Sequence, residues 1–181
     1  MGTRYAALLR GINVGRGNRL PMATWKKLLE QDGLARVATL LASGNAVFDA
    51  PARRTPSALA RAIEKALEAE CGIATRATVL RAEELTAIAE ENPLRDQAAE
   101  ASRLLLCVAA SPAVHARLRA LAEGRDWGKE RFVATERAAY LWLPSGVAES
   151  SAFEALQKEL GKECTTRNLA TWTKLIALAE A

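Results

Sequence analysis

The sequence predicts an α+β fold made of two tandem ferredoxin-like (α/β-plait) subdomains, with antiparallel sheets and an extra C-terminal helix. Three observations predict this fold. The chain has 181 residues, half of them apolar, which is enough to form the core of one large domain or two small ones. Apolar residues alternate at strand spacing in some segments and recur at helical spacing in others. These segments follow the order strand, helix, strand, strand, helix, strand, and the order occurs twice.

The first subdomain is predicted to cover residues 1–95, and its elements have recognisable turn and cap signals. Thr55 followed by Pro56 is typical of a helix N-cap and first helical position, and Gly72 is typical of a helix end. Ser43-Gly44-Asn45 is typical of a tight hairpin turn between antiparallel strands. The predicted elements are strands at 4–10, 36–42, 45–50 and 73–80, and helices at 21–33, 55–72 and 82–91.

The second subdomain is predicted to cover residues 96–181, because the polar, alanine-rich stretch 95–101 favours a boundary. Ser111-Pro112 is typical of a helix start, and Ser151 with Glu154 is typical of a capping box. The predicted elements are strands at 104–109, 131–135, 139–143 and 163–167, and helices that begin at 112, 151 and 169.

The cysteine and histidine content argues against several kinds of chemistry. Cys71, Cys107 and Cys164 are odd in number and widely spaced, so neither a disulfide framework nor a metal cage is expected. His115 is the single histidine, so a mechanism that needs a histidine base has to use it. Its place in the middle of a predicted helix favours a packing or surface role. We therefore predict no metal and no cofactor.

Positive charge is concentrated at the start of the chain. The net charge is +4, yet the first 29 residues contain six basic and no acidic side chains. A local basic segment on a nearly neutral body favours a small anion such as a phosphate or carboxylate, and makes nucleic acid a less favoured partner. No apolar run is long enough to span a membrane, and no signal peptide is recognisable, so we expect no membrane partner and a cytoplasmic location.

The segment from Leu9 to Arg19 contains three glycines and is the most unusual stretch of the chain. Glycine lets the backbone approach a ligand closely, and the helix that follows adds a partial positive charge at its N-terminus. The segment lacks the Gly-Lys-Ser/Thr ending of a P-loop and does not match the dinucleotide fingerprint. Anion binding is one interpretation, and a surface loop whose glycines adopt positive φ is the other.

Two further segments have both a structural and a ligand-binding interpretation. Ser43-Gly44-Asn45 is fully explained by a hairpin turn. Thr166 or Asn168 can cap the last helix, with Arg167 pointing outward. If the two halves pack together, the N-terminus of this helix would add amide donors to a shared cleft.

These motifs resemble those of a bacterial domain-of-unknown-function family, numbered 1697. The resemblance depends on Tyr5 to Met22, which includes Leu-Leu-Arg-Gly-Ile-Asn-Val-Gly, and on Ser43-Gly44-Asn45 with Phe48. It implies two consecutive α/β-plait subdomains and no established activity.

The resemblance extends to the end of the chain, but with two differences. The family's Thr-x-Arg-Asn-Trp-Asn-Thr motif stands here at Thr165–Thr171, with Leu169-Ala170 in place of Trp-Asn. A segment with two cations in the family is matched by 146–151, which has none. The resemblance therefore points to the glycine-rich segment more than to this end as the site.

The predicted function is binding of a small anionic or phosphate-bearing ligand at the glycine-rich segment. Two alternatives stay open: binding of RNA or single-stranded DNA, and an enzyme whose reaction the sequence does not disclose. The sequence does not indicate an oligomeric state. The predicted ligand-binding residues are Arg10, Asn13, Gly15, Asn18, Arg19, Ser43, Gly44, Asn45, Arg167 and Asn168.

Overall fold

A computed structural model describes residues 2–15 and 17–181 of the chain. Within these residues it contains two four-stranded antiparallel sheets and six α-helices. The chain divides into two compact units: one contains the chain up to Thr86 together with Lys174–Ala181, and the other is Ala87–Thr173. The strands are β1 (Gly2–Leu9), β2 (Ala35–Leu40), β3 (Asn45–Pro51), β4 (Ala77–Arg81), β5 (Leu104–Ala109), β6 (Arg131–Ala134), β7 (Ala139–Trp142) and β8 (Cys164–Asn168). The helices are α1 (Met22–Gln31), α2 (Pro56–Cys71), α3 (Ala82–Glu90), α4 (Pro112–Glu123), α5 (Ser151–Leu160) and α6 (Leu169–Glu180).

The first unit has its sheet in the order β2-β3-β1-β4. In the register of β1 with its neighbours, Tyr5 lies opposite Phe48 and Ala7 lies opposite Val79. Since side chains alternate across a strand, these four residues share one face of the sheet. Helices α1 and α2 pack on that face. The main core residues there are Tyr5, Leu9, Trp25, Leu29, Phe48, Leu59, Ile63 and Leu67.

The second unit has the corresponding order, β6-β7-β5-β8. Leu105 and Cys107 of β5 share one face with Leu141 of β7, and helices α4 and α5 pack on it. The main core residues are Leu105, Cys107, Leu118, Phe132, Leu141, Leu156 and Leu160. On the opposite face, Tyr140 is buried and its hydroxyl donates a hydrogen bond to the Ile88 carbonyl, 2.6 Å away.

Helix α2 confirms the cap signals that predicted it. The Thr55 hydroxyl accepts a hydrogen bond from the backbone N–H of Ala58 at 3.2 Å, and Pro56 begins the helix. The helix ends at Gly72, which has a φ of 64°. The signals worked because a cap is satisfied within three residues and needs no distant partner.

One predicted helix cap and one predicted strand start are wrong. The capping box was placed at Ser151, whereas Ser150 caps α5: its hydroxyl accepts a hydrogen bond from the N–H of Phe153 at 2.9 Å. The Ser151 hydroxyl instead lies 2.8 Å from a carboxylate oxygen of Glu130. The fourth strand was predicted from residue 73 but begins at Ala77, because residues 73–76 pair with no other strand.

Arg4 attaches the end of the chain to the first strand. Its guanidinium donates hydrogen bonds to the carbonyls of Leu178 and Ala179, at 3.2 and 3.3 Å, in the last turn of α6. It also forms an ion pair with Asp49 at 3.3 Å, and the Arg4 side chain is only 14% exposed. The last carbonyls of a helix lack partners within it, so a cation at this position is favourable.

Replacing Arg4 with alanine is expected to lower the free energy of unfolding by about 2 kcal/mol, because several partly buried charge-assisted hydrogen bonds are lost. Arg36 offers a matched control, since it pairs with the same Asp49 but is 59% exposed. Arg36→Ala should change stability by less than ~0.5 kcal/mol. Urea unfolding followed by fluorescence measures both, and equal losses would contradict the role assigned to Arg4.

Candidate functional site

In the glycine-rich loop, residues 10–19, the backbone alternates in hand over residues 11–15. Arg16, one of the six cations of the basic segment, lies outside the described residues. Positive φ values occur at Gly11 (63°), Asn13 (56°), Gly15 (63°) and Asn18 (49°). Alternation of this kind turns successive backbone N–H groups toward one side and produces anion-binding concavities.

Asn13 holds the loop together with its side-chain amide. Its Nδ2 donates hydrogen bonds to the carbonyls of Leu20 and Ala42, at 2.9 and 2.7 Å, and its Oδ1 accepts from the N–H of Leu20 at 2.9 Å. The backbone N–H of Asn13 donates to the carbonyl of Asn18 at 3.0 Å. Both amide donors are therefore used inside the protein, which gives Asn13 a positioning role in the loop.

The turn between β2 and β3 lies against this loop and differs from the predicted one. Leu40 pairs with Asn45, so the turn is the four residues 41–44, and Asn45 is the first residue of β3. The Asn45 amide donates to the Leu40 carbonyl at 3.0 Å and to the Ser43 hydroxyl at 2.9 Å. The apolar pattern predicts a strand over 36–42 and so does not place Leu41 and Ala42 in the turn. No local pattern indicates the hydrogen bond between Asn13 and Ala42.

Gly44 packs directly on β1. It has a φ of 79°, and a Cβ atom at this position would lie 2.8 Å from Cβ of Leu9. The backbone N–H of Leu9 donates to the Gly44 carbonyl at 2.9 Å. A residue without a side chain is thus required here, and the turn has a fixed position relative to the start of the glycine-rich loop.

Arg10 and Arg19 stand at the two ends of the loop. The main chain of Arg10 is held by Thr75 and Arg76, which no sequence motif marks: its N–H donates to the Arg76 carbonyl at 3.0 Å, and its carbonyl accepts from the Thr75 hydroxyl at 2.6 Å. The guanidinium of Arg19 donates to the Gly15 carbonyl at 3.1 Å, which uses one of its five N–H donors. The Asn18 amide donates to the Gly11 carbonyl at 3.3 Å.

Two other cations of the basic segment, Arg4 and Lys26, lie outside the glycine-rich loop. Arg4 is paired with Asp49, and Lys26 lies 3.8 Å from Glu30 on the surface of α1. Each of these positive charges therefore has a carboxylate beside it. Among the described residues, Arg10 and Arg19 are the cations of the glycine-rich loop itself.

Helix α1 follows the loop and begins differently from three other helices. Side chains of Thr55, Ser111 and Ser150 cap α2, α4 and α5. In the part of the chain described, α1 has Pro21 at its N-cap, no side-chain cap, and no acidic residue in its first turn. The positive end of its dipole is therefore not neutralised by a carboxylate of its own.

Arg167 and Asn168, the remaining predicted ligand-binding residues, lie in the second unit at the end of β8. The Asn168 Oδ1 accepts a hydrogen bond from the N–H of Thr171 at 2.9 Å and so caps α6. Arg167 is half-buried rather than fully outward, and its guanidinium donates a hydrogen bond to the Thr166 carbonyl at 2.8 Å. Desolvation lowers the pKa of this guanidinium to about 10, so it is still charged at neutral pH.

His115, Cys107 and Cys164 are each packed or hydrogen-bonded within the second unit. The Nε2 atom of His115 lies 2.8 Å from the Thr135 carbonyl, which agrees with the packing role expected for it. Cys107 and Cys164 are buried. A hydrogen bond with Cys164, together with burial, raises the pKa of the Cys107 thiol well above its usual value, so little thiolate forms at neutral pH.

Two four-stranded antiparallel sheets, each with helices packed on it, make this a protein of the mixed α/β class. The chain belongs to the family described as Protein of unknown function (DUF1697), whose sequence profile matches residues 2–140. This match confirms the family that the sequence resembles. The glycine-rich loop and the 41–44 turn lie inside the matched residues, and the Thr165–Thr171 motif lies beyond them.

A solved structure shows the same fold. It is described as a conserved bacterial protein, SP0830, from Streptococcus pneumoniae, and it is similar to this chain with a TM-score of 0.82 and 22% sequence identity over 99% of each chain. No curated protein matches the chain. Among the described residues, no helix has the length and apolar character needed to cross a membrane.

Proposed function

We propose that the protein binds a small anionic, phosphate-bearing ligand at the glycine-rich loop, in front of the N-terminus of α1. One observation carries the proposal: among the described residues, α1 has neither a side-chain cap nor a first-turn acid, whereas serine or threonine caps α2, α4 and α5. An anion is the natural partner for such a helix end.

The loop geometry supports the same proposal. Positive φ values recur at every second residue, Gly11, Asn13 and Gly15, which is the alternating backbone pattern of anion-binding nests. In this proposal Arg10 and Arg19 supply charge-assisted hydrogen bonds, and backbone N–H groups supply the remaining donors. The side chain of Asn13 holds the loop in shape.

The other predicted contacts stay predictions. Asn18 lies in the loop, and Ser43, Gly44 and Asn45 lie in or directly after the turn that contacts it; their ligand contacts are untested predictions. The ligand contacts predicted for Arg167 and Asn168 are also untested. The Asn168 side chain is used to cap α6. The cytoplasmic location expected from the sequence is likewise a prediction.

A thermal-shift screen tests the proposal against its alternatives. The screen uses inorganic phosphate, nucleotides, sugar phosphates, carboxylates and short RNA, at low and moderate salt. A ligand at about 100 times its Kd stabilises the fold by about 2.7 kcal/mol. A small anion whose effect survives moderate salt supports the proposal. Stabilisation by RNA alone that disappears with salt favours the nucleic-acid alternative, and stabilisation by none of the compounds contradicts the proposal.

Replacing Arg10 with alanine is expected to weaken binding of a phosphate-bearing hit by about 10- to 100-fold, because a charge-assisted hydrogen bond to the anion is lost. Arg61→Ala is the matched control, since Arg61 lies on the exposed side of α2. Isothermal titration calorimetry of both variants gives the two Kd values. Unchanged affinity in Arg10→Ala would remove Arg10 from the site.

We also propose that both units are ferredoxin-like α/β plaits. The order strand, helix, strand, strand, helix, strand in each unit supports this, as do the equivalent sheet orders β2-β3-β1-β4 and β6-β7-β5-β8. The division into subdomains at 1–95 and 96–181 stays a prediction. An experimental structure in which α1 and α2 lay on opposite faces of their sheet would contradict the plait assignment.

A further inference from the structure

Exposed apolar side chains gather at the glycine-rich loop. Among the described residues, three large hydrophobic side chains are exposed: Val14 (71%), Leu41 (50%) and Val147 (41%). The first two are neighbours of Asn13 and Ala42, which are joined by the 2.7 Å hydrogen bond from Asn13 Nδ2 to the Ala42 carbonyl. That bond therefore joins the two backbone segments that carry Val14 and Leu41.

Leucine is an unfavourable choice at position 41 if stability of the fold is its sole role. Its φ is 57°, in the left-handed region that disfavours a bulky side chain, and its side chain is half exposed rather than packed in the core. Asparagine or glycine would adopt this backbone more easily, as Asn13 and Asn18 do in the adjoining loop. A strained, exposed leucine that contributes little to the core is better explained by a contact with a ligand than by folding.

The charges near Val14 and Leu41 indicate which kind of ligand this surface binds. Arg10 and Arg19 lie on the same loop as Val14, and the chain contains no acidic residue before Glu30. A surface with cations beside exposed aliphatic side chains complements a molecule that is anionic at one end and apolar at the other.

We propose that the ligand of this loop is a soluble phosphate monoester with an aliphatic or aromatic group, whose apolar part packs on Val14 and Leu41. This inference rests on the proposed function, since the phosphate is bound as described above. It adds the chemical class of the rest of the ligand. Inorganic phosphate alone would leave both side chains exposed to water.

The test compares hexyl phosphate with inorganic phosphate by isothermal titration calorimetry. We expect hexyl phosphate to bind at least about ten times more tightly, because its chain buries apolar surface. Leu41→Asn and Val14→Asn should each reduce this advantage several-fold, while affinity for inorganic phosphate is unchanged. Val147→Asn is the matched control, because it replaces the exposed apolar residue of the second unit and should change neither Kd.

The melting temperature separates a binding role from a structural one. Leu41→Asn should leave the Tm unchanged or raise it, since asparagine tolerates a positive φ. A lower Tm together with equal losses for both compounds would show that Leu41 only supports the loop, and would overturn the inference.

The remaining outcomes distinguish this inference from the proposed function. Equal affinity of the native protein for the two compounds would overturn the inference and leave phosphate binding in place. Binding of neither compound would overturn both. Binding to vesicles that contain anionic lipid, without binding to hexyl phosphate, would also overturn the inference, because the apolar pair would then contact a membrane surface.

Discussion

Replacing Asn13 with alanine is expected to lower the free energy of unfolding by about 3 kcal/mol. The substitution removes three side-chain hydrogen bonds and leaves the N–H of Leu20, a residue only 1% exposed, without its partner. An orphaned buried donor costs about 1–3 kcal/mol, and alanine at a positive φ adds about 1 kcal/mol of strain. Urea unfolding followed by tryptophan fluorescence measures the change.

Asn13→Gly is the control for this experiment. Glycine removes the same hydrogen bonds but adopts the φ of 56° without strain, so it should be about 1 kcal/mol less destabilising than alanine. A loss of less than about 1 kcal/mol in Asn13→Ala would show that water replaces the amide easily, and that the loop does not depend on it.

Replacing Gly44 with alanine is expected to cost about 2–4 kcal/mol. A Cβ atom there would lie 2.8 Å from Cβ of the buried Leu9, so either β1 or the turn has to move, and the φ of 79° adds strain. Both effects act at the junction of the turn with the start of the glycine-rich loop.

Gly15→Ala separates the two effects. Gly15 has a φ of 63°, but nothing lies within 4 Å of a Cβ built on it, so only the strain of about 1 kcal/mol is expected. The difference in unfolding free energy between the two variants therefore reports the close packing of Gly44 on Leu9. Equal losses of unfolding free energy in both variants would mean that the close contact between residue 44 and Leu9 is relieved at no cost in free energy.

Local signals were sufficient to predict most of the secondary structure. Thr55 and Gly72 mark the two ends of α2, and apolar spacing places Leu59 and Ile63 on its buried face. These features are determined by neighbours within one or two helical turns. The order of the elements followed from them, and the two antiparallel sheets agree with that order.

Features that depend on distant partners were not predicted. Ile73 begins an apolar stretch that resembles a strand, yet the next residues, Thr75 and Arg76, hold the main chain of Arg10 instead of joining the sheet. The segment from Leu9 to Arg19 is recognisable as unusual from the sequence, because three glycines within a few residues are a local signal. It did not predict that Asn13 binds Ala42, 29 residues away, because no local pattern encodes that contact.

The attachment of α6 to β1 determines the order in which the chain can complete its folding during synthesis. Residues 174–181 belong to the first unit but leave the ribosome after the whole of the second. Arg4 therefore cannot form its hydrogen bonds to Leu178 and Ala179 until residues 87–173 have been synthesised. The second unit has all its own strands before that moment and is free to fold first. A fragment that ends at residue 95 would contain β1 to β4 but not the helix end to which Arg4 binds. Its Arg4 side chain would keep Asp49 as a partner and lose both carbonyls.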